Sequence, residues 1–205
     1  MTSPWLTIPL EDYEAHMALP EVGQAEMLAE ELEIAIRQRV PDSCAIIGCA
    51  GGNGFEELAI AGVRRIVGID LNPDYVECAR RRHAGLPGLE LHVADVRRPL
   101  AACAPVELVY AGLLFEYVDV APALSTLRGL CAAGGTLVVV LQGADGREPV
   151  TPTRHTSLAA LGSILVLREP DELAEHARPA GFAATRARTR TLPSGRRFEI
   201  LTFAG

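Results

Sequence analysis

Ile46-Ile47-Gly48-Cys49-Ala50-Gly51-Gly52-Asn53-Gly54 joins a short apolar run, residues 44–48, to a segment of helical composition. Four glycines fall within the seven residues from Gly48 to Gly54. Glycine turns readily through positive φ and lets a ligand approach the main chain closely. A strand, a glycine-rich turn and a helix, in that order, form the opening unit of a doubly wound sheet. Ligands of such sheets bind beyond the carboxyl ends of the strands, at the topological switch point. A tight turn alone needs fewer glycines, so this loop reads as a binding loop.

Beyond the loop, strand and helix signals alternate. Residues 65–69, 89–94, 106–111 and 136–141 are short strand-like runs, and the last is rich in β-branched residues. Residues 53–61, 73–83, 120–131 and 171–180 carry helical patterns, with Pro73 suited to a first turn. Gly134-Gly135 predicts a stop ahead of the fifth strand. Two final runs, residues 182–191 and 197–203, flank Pro193-Ser194-Gly195 and read as a β-hairpin. Repeated βα units require a mostly parallel sheet. The expected fold is α/β, a doubly wound seven-stranded sheet, mostly parallel, with an antiparallel last strand and helices ahead of it.

Those helices occupy residues 10–40, with a break expected at Pro20 and an end at Pro41-Asp42. Leu28, Leu32, Ala35 and Ile36 share one apolar face, and Glu26, Glu30, Glu31 and Glu33 read as a solvated one. The expected organisation is a helical lid over residues 1–40 and a main domain over residues 41–205, together one structural unit.

Composition removes whole classes of function. All 19 basic side chains are arginine, and the formal net charge is −7. A chain without lysine cannot carry a Walker P-loop, a Schiff base or a Tyr-x-x-x-Lys dehydrogenase site. Its acidic balance argues against nucleic acid and anionic membranes as partners. No apolar run approaches the roughly 18 residues of a membrane helix. Cys44, Cys49, Cys78, Cys103 and Cys131 are scattered among apolar neighbours, read as reduced, and point to a cytoplasmic protein without a metal site.

The dinucleotide fingerprint demands glycine at n, n+2 and n+5. Starting at Gly48 the third position is Asn53, and starting at Gly52 it is Glu57, so neither register fits. The loop resembles instead the first motif of the class I S-adenosylmethionine-dependent methyltransferases, with Gly48, Ala50 and Gly52 at its three glycine positions. Three further segments match in order. Ile66-Val67-Gly68-Ile69-Asp70-Leu71-Asn72 resembles the second motif, His92-Val93-Ala94-Asp95-Val96 the third, and Leu130-Cys131-Ala132-Ala133-Gly134-Gly135-Thr136 the entry to strand five. The resemblance covers about residues 40–205.

It implies S-adenosylmethionine as cofactor. Gly48, Cys49, Ala50 and Gly52 would accommodate its methionine part, Asp70 and Leu71 its ribose, and Asp95 and Val96 its adenine, with Tyr110 alongside. A competing reading makes Asp70 the cap of the next helix. On the acceptor side, Glu116 and Tyr117 follow strand four. Tyr13, His16 and Met17 share a helical face, and Arg154 and His155 lie in the connection after strand five. His16, His155 and Glu116 are the candidate catalytic groups, and Tyr13, Met17, Tyr117 and Arg154 the candidate substrate contacts. Arg186, Arg188 and Arg190 alternate along the hairpin and are expected to face solvent. The expected function is methyl transfer to an O, N or C atom of a small molecule. An NAD(P)-dependent oxidoreductase and a non-catalytic S-adenosylmethionine-binding protein are the alternatives.

Overall fold

The computed structural model describes residues 3–100 and 103–205. Met1 and Thr2, at the head of the expected lid, lie outside that range. Two helices come first, α1 (Leu10–Met17) and α2 (Gln24–Arg39), separated around Pro20 as the sequence predicts. Alternating elements follow: β1 (Ser43–Ile47), α3 (Phe55–Ile60), β2 (Arg65–Asp70), α4 (Pro73–Arg82) and β3 (Leu89–Val93). The second half contains β4 (Val106–Gly112), α5 (Val120–Leu130), β5 (Cys131–Gln142), α6 (Pro170–Ala177), β6 (Ala183–Thr191) and β7 (Arg197–Ala204). No helix among the described residues is long and apolar enough to cross a membrane.

The seven strands lie in the order β3-β2-β1-β4-β5-β7-β6. β1 to β5 are parallel, β7 runs antiparallel beside β5, and β6 pairs antiparallel with β7 as the closing hairpin. Chain order reverses at β1 and β4, which sets the switch point at their carboxyl ends. Alternation along the central strands divides the core between two faces. Ile47, Ile69, Val109 and Val139 pack toward α5 and α6, while Ile46, Ile66, Tyr110 and Val138 pack with α2 and α3 residues such as Leu32 and Phe55.

Three boundaries shift for local reasons. α3 starts at Phe55 rather than Asn53 because Gly54 adopts φ 91°, outside helical space. α6 ends at Ala177, two residues before Pro179, which cannot continue it. β5 begins at Cys131 rather than after the glycine pair. Gly134-Gly135 forms an irregularity within the strand, where a Cβ on Gly135 would meet the carbonyl oxygens of Ala132 and Glu107.

Two charged faces are not solvated as expected. Glu31 on α2 is only 1% exposed, and Arg188 and Arg190 of β6 both pair with it, Arg190 reaching Glu30 as well. Helical periodicity places Glu31 beside Glu30 and Glu33, but β6 supplies the guanidinium groups that make its burial tolerable. Arg186 stays exposed.

Candidate functional site

A cavity of about 430 Å³ opens at the carboxyl ends of β1 and β4, within the range of small-molecule sites. The β1–α3 turn lines it with Gly48 and Ala50, which adopt φ 75° and 47°. Ala50 is a non-glycine residue in the left-handed region, and its methyl packs with Leu10 and Tyr75.

Asp70, the last residue of β2, lines the cavity beside this turn. Its Oδ2 accepts the Ala50 N–H at 2.9 Å and its Oδ1 the Asn72 N–H at 2.9 Å. The helix-cap role belongs to Asn72, whose side-chain oxygen accepts from Asp74 N at 2.9 Å and Tyr75 N at 3.4 Å. Asp70 is therefore free of the cap, and each of its oxygens keeps a lone pair. Burial raises its pKa, and the backbone N–H groups oppose that shift.

Leu71, Asp95 and Val96 also line the cavity. Asp95 is not open to it unopposed. Arg97 grips the carboxylate, with Nε 2.9 Å from Oδ1 and Nη2 2.7 Å from Oδ2, and holds its pKa below the usual range. Arg97 shares the lining, a neighbour that motif matching did not single out.

Three expected cofactor contacts lie elsewhere. Cys49 is fully buried in the core cluster with Phe55 and Leu58. A Cβ on Gly52 would strike the His83 ring, so this glycine answers helix packing. Tyr110 turns away from the cavity and donates its hydroxyl to the Leu28 carbonyl at 2.9 Å. Alternation along β4 explains this: Tyr110 faces α2, opposite to Val109 and Ala111.

Tyr13, His16, Met17, Glu116 and Tyr117 come together on the other side of the cavity. Trp5 joins them, edge-on to Tyr13 at 5.6 Å and to Tyr117 at 5.1 Å between ring centroids. Leu113 and Leu114 follow β4, and Leu113 adopts φ 52°, a strained conformation of the sort that clusters at functional sites. Leu158, Leu161 and Ile164, in and after a 3-10 helix over Thr156–Ser163, complete an apolar wall. Sequence patterning gave no signal for Trp5 or for this wall.

Glu116 is 2% exposed. Its Oε1 accepts the Gln142 N–H at 2.6 Å, and its Oε2 has no hydrogen-bond partner among the described residues. Burial pushes its pKa up from 4.5 to about 7, against smaller opposing contributions from Gln142 N–H and Arg168.

Arg154 and His155 lie outside the lining. Arg154 is exposed, and His155 Nδ1 lies 3.2 Å from Asp12 Oδ1, while Ser157 donates to Asp12 Oδ2 at 2.7 Å. His16 Nδ1 is 3.1 Å from Thr153 Oγ1, and burial lowers its pKa. These contacts fasten residues 153–157 to α1. On its other side the N-terminal segment is tied to α4: Asn72 Nδ2 donates to the Trp5 carbonyl at 2.8 Å, Tyr75 donates to the Ile8 carbonyl at 2.9 Å, and Arg82 pairs with Glu14.

The site fits S-adenosylmethionine on its own features: a left-handed turn exposing backbone, and a half-buried carboxylate with spare acceptor capacity at the end of the adjacent strand. Comparisons agree. Residues 46–139 match the family described as "Methyltransferase domain". A curated relative, an uncharacterized 37.1 kDa protein in transposon Tn4556 of Streptomyces fradiae, is 30% identical over 108 residues. That alignment takes in 51% of this chain and 31% of the relative, so the chain spans about a third of that protein's length. Among solved structures, the N-methyltransferase NodS of Bradyrhizobium japonicum WM9, in complex with S-adenosyl-L-homocysteine, superposes with a TM-score of 0.70. It is 15% identical, over 100% of this chain and 99% of NodS. An S-adenosylmethionine-dependent methyltransferase of Mesorhizobium loti gives 0.65 at 18% identity, over 84% and 96% of the two chains. The [4+2]-cyclase SpnF gives 0.67 at 16% identity, over 86% and 80%. Residues 46–139 are thus similar to the methyltransferase-domain family, and the chain has the fold of the solved S-adenosylmethionine-dependent methyltransferases.

Proposed function

We propose that this chain transfers a methyl group from S-adenosylmethionine to a small molecule, with residues 3–40 acting as the lid of the site. The observation that carries this reading is the pairing of Asp70 with the Gly48–Ala50 turn at the switch point, continuous with an apolar chamber. Gly48 and Ala50 would hold the methionine part, Asp70 the ribose, and Val96 and Asp95 the adenine end. Asp95 would have to share its carboxylate with Arg97. Bound there, S-adenosylmethionine supplies a methyl group on a sulfonium, an electrophile that already carries a good leaving group.

What remains for the protein is alignment and exclusion of water, worth several kcal/mol in barrier. Trp5, Tyr13, His16 and Met17 cover the chamber from the N-terminal segment, and the Asp12 and Thr153 contacts hold that cover against residues 153–157. Arg154 and His155 receive no part in the reaction. The unpaired cysteines and the −7 charge support a reduced, cytoplasmic setting and a small-molecule acceptor rather than nucleic acid.

The test is incubation with S-adenosylmethionine and a panel of small amines, phenols and carboxylic acids, reading S-adenosylhomocysteine release. Release with one class of acceptor is expected. Cofactor binding with no release from any class would replace transfer by binding alone.

A further inference from the structure

The two sides of the cavity differ in charge. Asp70, Asp95 and Arg97 line the strand-end side, where the cofactor reading puts ribose and adenine. The opposite side is walled by Trp5, Leu114, Tyr117, Leu158, Leu161 and Ile164. Among the described residues, the ionisable side chains on this second side are Tyr13, Tyr117, His16 and Glu116. None of them offers an occupant a charge. Burial raises the pKa of both tyrosines and keeps them neutral. His16 is 5% exposed, its Nδ1 is engaged by Thr153 Oγ1, and burial favours the neutral ring. The Glu116 carboxyl is closed off: Gln142 N–H holds Oε1, and Oε2 is buried out of reach of a chamber occupant. The other polar groups there, Gln24, Gln142, Thr151 and Ser163 among them, are neutral.

An ion brought against such a wall gives up water without gaining a counter-charge, which costs heavily for either sign. Aromatic faces give a cation no substitute. Trp5 meets Tyr13 at 5.6 Å and Tyr117 at 5.1 Å, both edge to face. The rings pack on one another instead of boxing a gap of ammonium size. An uncharged molecule escapes this penalty and gains by burying its apolar surface.

We propose that this side of the cavity binds an uncharged, largely apolar molecule and rejects ammonium and carboxylate compounds of the same shape. The proposal rests on the methyl-transfer reading above, which makes that occupant the acceptor. Selection comes from the wall as a whole rather than from one contact. Leu158 and Leu161 of the 3-10 helix, Leu114 after β4 and the half-buried Ile164 supply its apolar surface.

A matched series tests this: 4-phenylbutan-1-ol, 4-phenylbutylamine and 4-phenylbutanoate, titrated near neutral pH with and without S-adenosylhomocysteine. Trp5 is the chain's single tryptophan and lines the cavity, so its fluorescence reports occupancy at the wall itself. The alcohol should bind at least about tenfold more tightly than either the amine or the carboxylate. Ile164→Arg adds a positive charge to the wall. It should improve carboxylate binding relative to the alcohol by at least about tenfold, with S-adenosylhomocysteine affinity unchanged. An amine or carboxylate bound as tightly as the alcohol by the wild-type protein would overturn the proposal. So would undetectable binding of the alcohol at about 5 mM. A folded Ile164→Arg protein in which the carboxylate gains nothing would overturn it too. Should that variant not fold, the wild-type series decides alone. Absence of S-adenosylhomocysteine binding contradicts the cofactor reading instead, and the order of affinities measured without it still decides this proposal.

Discussion

On the β1–β2–β3 side, the cavity wall comes from Ile47, Gly48, Ala50, residues 69–71 and residues 94–97, each group at or just beyond the end of its own strand, with Tyr75 of α4 beside them. On the β4–β5 side, the wall comes from residues 3–5, 13–24, 112–118 and 142–164, drawn from most of the chain's length. The first side presents backbone and carboxylates, and the second presents aromatic and aliphatic side chains around one buried acid. Local sequence encodes the first side, because a strand end and its turn carry their own contacts. Long-range packing assembles the second, with α1 held to residues 153–157 by Asp12 and His16.

The sharpest challenge to this contrast falls on Glu116. A buried acid whose folded pKa lies above its unfolded value stabilises the fold below the unfolded pKa and loses that contribution as pH rises through the folded one. Here the window runs from 4.5 to about 7. Glu116→Gln should therefore raise stability at pH 8 by on the order of 2–3 kcal/mol and change it little at pH 4, read by thermal or urea unfolding. Equal effects at both pH values would place the Glu116 carboxyl in contact with water, not in the protein interior.

Next comes Asp70. Asp70→Ala should weaken S-adenosylhomocysteine binding by about 1.5–3 kcal/mol while the protein stays folded. Calorimetry showing normal affinity would remove Asp70 from the site and leave it only the task of bracing Ala50 and Asn72.

Asp12→Ala probes the opposite side. Burial opposes the hydrogen bonds from Ser157 and His155, but those bonds prevail and lower the Asp12 pKa, so its contribution is present above the ordinary carboxylate range and lost as pH falls. The variant should speed amide exchange over residues 153–163 by roughly threefold or more at neutral pH, with S-adenosylhomocysteine affinity unchanged. Faster exchange in the β1–α3 turn would show that the two sides are coupled rather than separately built.

The smallest effect belongs to Arg97. Its ion pair with Asp95 has side-chain exposures of 42% and 20%, so screening keeps its worth low. Arg97→Ala should shift S-adenosylhomocysteine affinity by no more than about threefold, in competition binding, because it removes a neighbour and frees Asp95 at once.

This contrast also accounts for what the sequence made legible. The alternation of strands and helices, the hairpin and the placement of Asp70 and Asp95 followed from periodicity and motif spacing, both local signals. Cys49 and Gly52 matched the motif by position but turn into the core or against His83, because glycine and cysteine serve packing as readily as ligands. Glu31 looked solvated because helical periodicity is blind to β6, some 157 residues on, where Arg188 covers it. Trp5 and Leu161 stand in no motif at all. Only the folded chain brings them to one wall.

The central claim concerns the cofactor, and titration of the wild-type protein with S-adenosylhomocysteine tests it most directly. Saturable heat with a dissociation constant in the micromolar range, and none with NADH, is the expected result. No heat at millimolar S-adenosylhomocysteine, or binding of NADH in its place, would contradict it.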